Sequence, residues 1–97
     1  MARVIWAPRA ISELEEICDY IAEDSDLYAR IFAQRVVTRV KTIAQFPNAG
    51  RVVPEYRRPD LRELIFQNYR IVYRVKPDVV EIAAIVHGAR LLRNLKE

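Results

Sequence analysis

An α+β domain, with an αα-hairpin set against a small antiparallel sheet, is what three observations on this 97-residue chain predict. Between residues 8 and 46 the apolar side chains recur at helical spacing. After residue 61 the period changes to the alternation of strands. Two pairs of turn residues, Gln67–Asn68 and Pro77–Asp78, divide that second half into three runs. The length fits one domain, spanning residues 1–97. Hydrophobic residues at 52% and charged residues at 30% exclude a chain disordered by composition.

Each element follows from its residues. Val4–Ile5–Trp6 is a short apolar run, read as a strand over 2–7. Pro8 opens a helix, because the first turn has no use for the N–H that proline lacks. Ile11, Leu14, Ile17, Cys18 and Ile21 place that helix over about 8–23, with its acids on the opposite side. Asp24–Ser25–Asp26 breaks it, with the two aspartates expected as helix terminator and cap. A second helix carries Tyr28, Phe32, Val36, Val40 and Ile43 on one stripe and stops at Pro47-Asn48-Ala49-Gly50. Gly50 and Gly88 are expected in turns with special backbone angles. Three strands follow: Leu61–Phe66, the alternating run Tyr69–Val75, and Val79–His87.

Two-residue turns fix a register, pairing Arg74 with Glu81, Tyr73 with Ile82 and Phe66 with Tyr69. One face then carries Leu64, Phe66, Ile71, Tyr73, Ile82 and Ala84, with Arg62 at its end, and packs on the helices. The other carries Glu63, Ile65, Arg70, Val72, Arg74, Glu81, Ile85 and His87. An apolar centre with a basic rim reads as a docking face. The plainer alternative is a small sheet that exposes a few Val and Ile side chains.

Charge is polarised. Residues 1–26 hold two basic and seven acidic side chains, net −5, whereas the remainder holds fourteen basic and six acidic, net +8. Such a field steers an anionic partner to one side. One cysteine allows no internal disulfide, and one histidine with one cysteine does not make an ordinary zinc site. No metal and no cofactor are therefore expected. No apolar run reaches membrane-spanning length, so no membrane partner and a cytoplasmic location are expected. Cys18, Trp6 and Tyr73 read as core residues.

The combination of Phe46-Pro47-Asn48-Ala49-Gly50-Arg51, Leu61-Arg62-Glu63-Leu64, Asn68-Tyr69-Arg70-Ile71-Val72-Tyr73-Arg74-Val75 and Val86-His87-Gly88-Ala89-Arg90 resembles the RelE/ParE superfamily of bacterial type II toxins and plasmid stabilisation proteins. Trp6-Ala7-Pro8-Arg9-Ala10 and the acidic first helix resemble it too, so the likeness covers nearly the whole chain. The resemblance implies a RelE-like fold, β-α-α-β-β-β, and a toxin neutralised by a co-encoded antitoxin whose partly disordered tail folds onto it. RelE-like relatives cut messenger RNA on the ribosome, and ParE-like relatives poison DNA gyrase. The His87-Gly88-Ala89-Arg90 ending looks more like the ParE side, so gyrase is the expected target. The alternative is a ribosome-dependent, metal-independent endoribonuclease.

Metal-free cleavage of RNA needs a base for the 2′-OH, cations for the crowded phosphate and an acid for the leaving oxygen. For that alternative the candidate catalytic residues are His87, Arg90, Arg70 and Arg74, on one shared face. A plainer role for His87 is a strand-end ring that caps the sheet. Arg51, Arg57 and Arg58 stand where some cleaving relatives use lysines, and no tyrosine follows Tyr73. For antitoxin binding the candidates are Ile65, Arg70, Val72, Arg74 and Ile85, with an amphipathic acidic peptide as the expected occupant, and the αα-hairpin stripe or a strand added at the sheet edge offers a second contact.

Overall fold

The computed structural model describes residues 1–95. Its elements run β1 (Arg3–Trp6), α1 (Pro8–Ala22), α2 (Asp26–Gln45), β2 (Arg51–Val52), β3 (Leu61–Phe66), β4 (Tyr69–Val75) and β5 (Val79–His87). Pro8 does sit in the first turn of α1. The α2 cap is Ser25, whose Oγ accepts the Tyr28 N–H at 3.0 Å, and not either flanking aspartate. Serine is short enough to reach back to that amide, and Asp26 then lies inside the first turn, where a carboxylate meets the positive end of the helix.

The sheet order is β1-β5-β4-β3-β2. β3, β4 and β5 form the expected meander, with Phe66 opposite Tyr69, Tyr73 opposite Ile82 and Arg74 opposite Glu81. β1 joins the far side of β5 in parallel, so the sheet is mixed. The two-residue strand β2 pairs with β3 at the other edge and carries too little periodicity to be read from sequence.

One irregularity reassigns the faces. Val72 pairs with Ala84, while the next residue, Tyr73, pairs with Ile82, so Ala83 is an extra residue in β5. A bulge of this kind inverts the alternation beyond it. Ile85 therefore points to the helices and is buried with Phe32, Val36, Ile71, Tyr73 and Ile82. Ala84 moves the opposite way, into a second cluster with Val53, Leu61, Val72, Ala83, Val86 and Leu92. The expected faces of Ala84, Ile85 and His87 are thus corrected together. Up to the bulge, the expected faces stand: Phe66, Ile71, Tyr73 and Ile82 all lie against the helices.

The bulge is held from outside the sheet. Glu13 of α1 accepts the Ile85 N–H on Oε1 at 2.9 Å and takes Arg9 Nε on Oε2 at 3.2 Å. Arg9 Nη1 in turn donates to the Arg93 carbonyl at 2.8 Å. A carboxylate thus satisfies a backbone donor that the irregular pairing frees.

Gly50 needs no positive φ, since no glycine of the described residues has one. Its requirement is space. A Cβ there would lie 2.5 Å from the Tyr73 hydroxyl and 2.6 Å from the Glu63 carbonyl oxygen. The Tyr73 hydroxyl accepts the Gly50 N–H at 2.9 Å and donates to the Pro47 carbonyl at 2.7 Å, which pins the α2–β2 turn to the core. Burial pushes that phenol above its ordinary pKa.

Candidate functional site

The sheet face expected to receive a partner is covered by the chain's own loops. Val53 and Tyr56 of the β2–β3 segment and Leu92 of the C-terminal segment pack over Val72, Ala83, Ala84 and Val86. Of the five candidate binding residues, Ile65 alone is exposed, at 47%. Arg70, Val72, Arg74 and Ile85 retain 4, 0, 8 and 2%. The expectation of an open, half-apolar face with a free basic rim is corrected on this point. The length of chain between β2 and β3, and after β5, is enough to fold back over the sheet.

The arginines of that rim serve the interior. Arg70 donates Nε to Glu63 Oε1 at 2.7 Å, and Nη1 and Nη2 to the two oxygens of Glu55 at 2.7 and 2.6 Å. Glu63 is fully buried and takes Arg51 Nε on its other oxygen at 2.6 Å. The bidentate hydrogen bonds from Arg70 hold the Glu55 carboxyl at about 2, well below its usual range, and raise Arg70 itself further. The same pair clasps the C-terminal segment: Arg70 Nη1 also meets the Arg90 carbonyl at 3.1 Å, and Glu55 Oε2 accepts the Leu92 N–H at 2.9 Å. Arg74 pairs with Glu81 at 3.3 Å.

The four residues named for RNA cleavage do not share a face. Because of the bulge, His87 lies on the helix side, with its ring edge-on to Tyr69 at 5.8 Å. Its Nδ1 accepts the Ala89 N–H at 3.2 Å, which leaves Nε2 as the ring donor. Arg90 stays beside it, lining the same cleft, while Arg70 and Arg74 sit across the sheet. Two cationic groups are thereby separated from the one imidazole.

The hairpin stripe, expected only as a second contact, carries the open apolar surface, and what the sequence reading missed is the groove it forms with β1. Val4, Trp6, Leu14 and Val40, with the exposed Ile11 and Val37, line a groove of about 530 Å³ between β1, α1 and α2, edged by Glu15 and Lys41. Along α1 only Ala10 is fully buried. The signal in the sequence was the width of the α1 stripe. Leu14, Ile17, Cys18 and Ile21 are only partly buried against the core, and Ile11 is exposed. Cys18 is half-buried on that stripe, and burial, with Asp19 beside it, raises its thiol pKa.

Two helices on one face of a five-stranded mixed sheet, in the order β-α-α-β-β-β apart from the short β2, define the architecture of the RelE/ParE toxins. The chain belongs to the family described as the ParE toxin of the type II toxin–antitoxin system parDE, whose model matches residues 4–92. It is 39% identical over 92 residues to Toxin RelE2 of Caulobacter vibrioides, covering 94% of this chain and all of that protein. It is 39% identical over 89 residues to the Putative toxin Y4kP of Sinorhizobium fredii, covering 89% of this chain and 88% of that one. Among solved structures it is similar to a chain of the chromosomal ParDE system from P. aeruginosa, with a TM-score of 0.74 and 27% identity over 90% of this chain and 96% of that one. Membership of this family supports a cognate antitoxin as partner. Among the described residues no helix is long and apolar enough to cross a membrane.

Proposed function

We propose that this toxin acts in the ParE manner, as an inhibitor of DNA gyrase, and is neutralised by an antitoxin segment seated in the hairpin groove. One observation carries the first half. The cations that would stabilise a cleaving phosphate, Arg70 and Arg74, are committed to Glu55, Glu63 and Glu81 on the covered face. The His87 ring lies on the opposite, helix-facing side of the sheet. Separated groups do not supply the concerted proton transfer and charge neutralisation that metal-free RNA cleavage requires. The test is direct. Purified toxin added to gyrase and plasmid is expected to inhibit supercoiling or trap the cleaved complex, and to leave messages on translating ribosomes intact. Cut messages with unaffected gyrase would overturn the reading.

The RelE-like reading rests on two supports. The relative at 39% identity carries the name RelE2, and His87 keeps a free Nε2 next to the exposed Arg90. In that case His87 acts as the acid or base with Arg90 at the phosphate, and Arg70 and Arg74 act only in holding the fold.

The antitoxin site moves from the covered sheet face to the hairpin. Ile11 and Val37 are exposed apolar side chains at the lip of a groove floored by Trp6 and Leu14. An amphipathic helix laid there buries its anchors and meets Lys41 and Arg30 with its acids. The occupant would be disordered alone and would give up part of its interface energy to ordering. β1 forms an edge of the sheet beside this groove and offers a place for an added strand.

A further inference from the structure

The two helices of the hairpin carry opposite charge on their open sides. α1 exposes Glu15, Glu16, Asp19 and Glu23, and α2 exposes Arg30, Arg35, Arg39 and Lys41. The helices pack side by side, and Glu15 and Lys41 edge the same groove of about 530 Å³. Even so, among the described residues none of Glu15, Asp19, Glu23, Arg30 and Lys41 enters an ion pair. The groove itself keeps them apart, with Leu14 and Val40 along its floor and the exposed Ile11 and Val37 at its lips. A second hollow, about 500 Å³, continues along α2 from Val37 past Arg30 to Leu27.

The hairpin thus presents an apolar strip with an acidic lip on one side and a basic lip on the other. That pattern is its own complement. A two-fold axis laid along the strip places α1 of one copy over α2 of another, and the same contact repeats by symmetry. Ile11 then covers the second copy's Val37, while Glu15 and Asp19 meet the second copy's Lys41 and Arg30. An acidic peptide answers the basic lip alone, and a nucleic acid is repelled by the acidic one. A surface with both signs in this order answers both lips, and the chain carries one. The exposed Ile11, Leu27 and Val37 leave solvent together in that arrangement.

We propose that the free toxin pairs with a second copy of itself through this strip, as a symmetric dimer in which each hairpin groove is covered by the other hairpin. The anchors are few and the charged lips lie at the solvent rim, so the pairing is weaker than that of an obligate dimer. Opposed lips fix the orientation of the two copies and disfavour a parallel stacking of like charges. One consequence, which rests on the antitoxin occupying the same groove, is that antitoxin binding and self-pairing exclude one another. The dimer itself depends neither on that reading nor on whether gyrase or the ribosome is the target.

Analytical ultracentrifugation of the full chain alone, over a range of protein and salt concentrations, tests it. The mass is expected to rise reversibly from 11.4 kDa toward twice that value with concentration, and the association to weaken as salt is added. Glu15→Lys with Asp19→Lys should weaken pairing by about tenfold or more, and so should Arg30→Glu with Lys41→Glu. Mixed in equal amounts, these two charge-reversed chains should pair again, because each reversed lip then meets its opposite. Arg35→Glu with Arg57→Glu reverses as much charge at exposed arginines that line neither groove, and should change pairing by less than about threefold. Thermal melts verify that the variants are folded. A monomer at about 100 μM in low salt, equal losses from the Arg35 and Arg57 reversals, or mixed variants that stay apart would each overturn it. No antitoxin is present in these measurements, so an antitoxin seated elsewhere leaves every outcome as stated.

Discussion

At the scale of single residues, the interior is specified by buried polar groups that each tie several segments together. The Tyr73 hydroxyl serves Gly50 and Pro47 at once. Tyr73→Phe leaves a buried N–H and a carbonyl unmet and should cost about 1–3 kcal/mol in chemical denaturation. Arg70 is the more demanding case. Replacing it with Met leaves the fully buried Glu63 with only the exposed Arg51 as ionic partner and should destabilise by about 3–5 kcal/mol. Arg70→Glu, which the sequence alone presents as a surface charge reversal, is expected to unfold the protein. Glu55 adds a pH dependence. Its carboxyl is held at about 2 against 4.5 when free, so its contribution is complete above pH 4.5 and fades as pH falls toward 2. In Glu55→Gln the acid limb of a stability–pH curve should be shallower than in wild type. An unchanged limb would separate Glu55 from acid sensitivity.

At the scale of elements, β5 decides how the rest is arranged. It pairs with β1 on one side and β4 on the other, and its bulge at Ala83 sets which side chains meet the helices. Deleting Ala83 removes the bulge and makes Ile82 and Ala84 consecutive opposite Tyr73 and Val72, so Ile85 stays on the helix side, and the expected outcome is a chain that still melts cooperatively. Glu13→Ala is the gentler probe. It frees the Ile85 N–H and releases Arg9, and should cost about 1–3 kcal/mol with faster amide exchange at Ile85. The helices and the meander were legible because their signals are local: apolar spacing, Pro8, and the turn Gln67–Asn68. The bulge was not. Ala83, Ala84, Ile85 and Val86 are all apolar, so the run reads equally well in either phase.

For the whole molecule, what matters functionally is which apolar surface remains open. Residues 53–60 and the C-terminal segment close one sheet face, and the hairpin groove is left at the other side of the molecule. Val37→Asp and Ile11→Asp should each weaken antitoxin binding by about tenfold or more in titration calorimetry, while Ile65→Asp on the sheet should change it little. The reverse order would return the docking site to the sheet. Both groove positions are exposed, so these variants should keep wild-type melting temperatures.

The amino-acid sequence by itself determined the class of fold, the succession of helices and strands, the meander register at Tyr73 and Arg74, and the family. Those depend on residues near one another along the chain, where periodicity and turn chemistry act. Tertiary structure alone decided that β1 runs parallel to β5, that His87 and Ile85 face the helices, and that Arg70 is enclosed between Glu55 and Glu63. Each of these turns on a contact between distant segments. A guanidinium reads as a free surface charge until the fold shows which carboxylate has been brought against it.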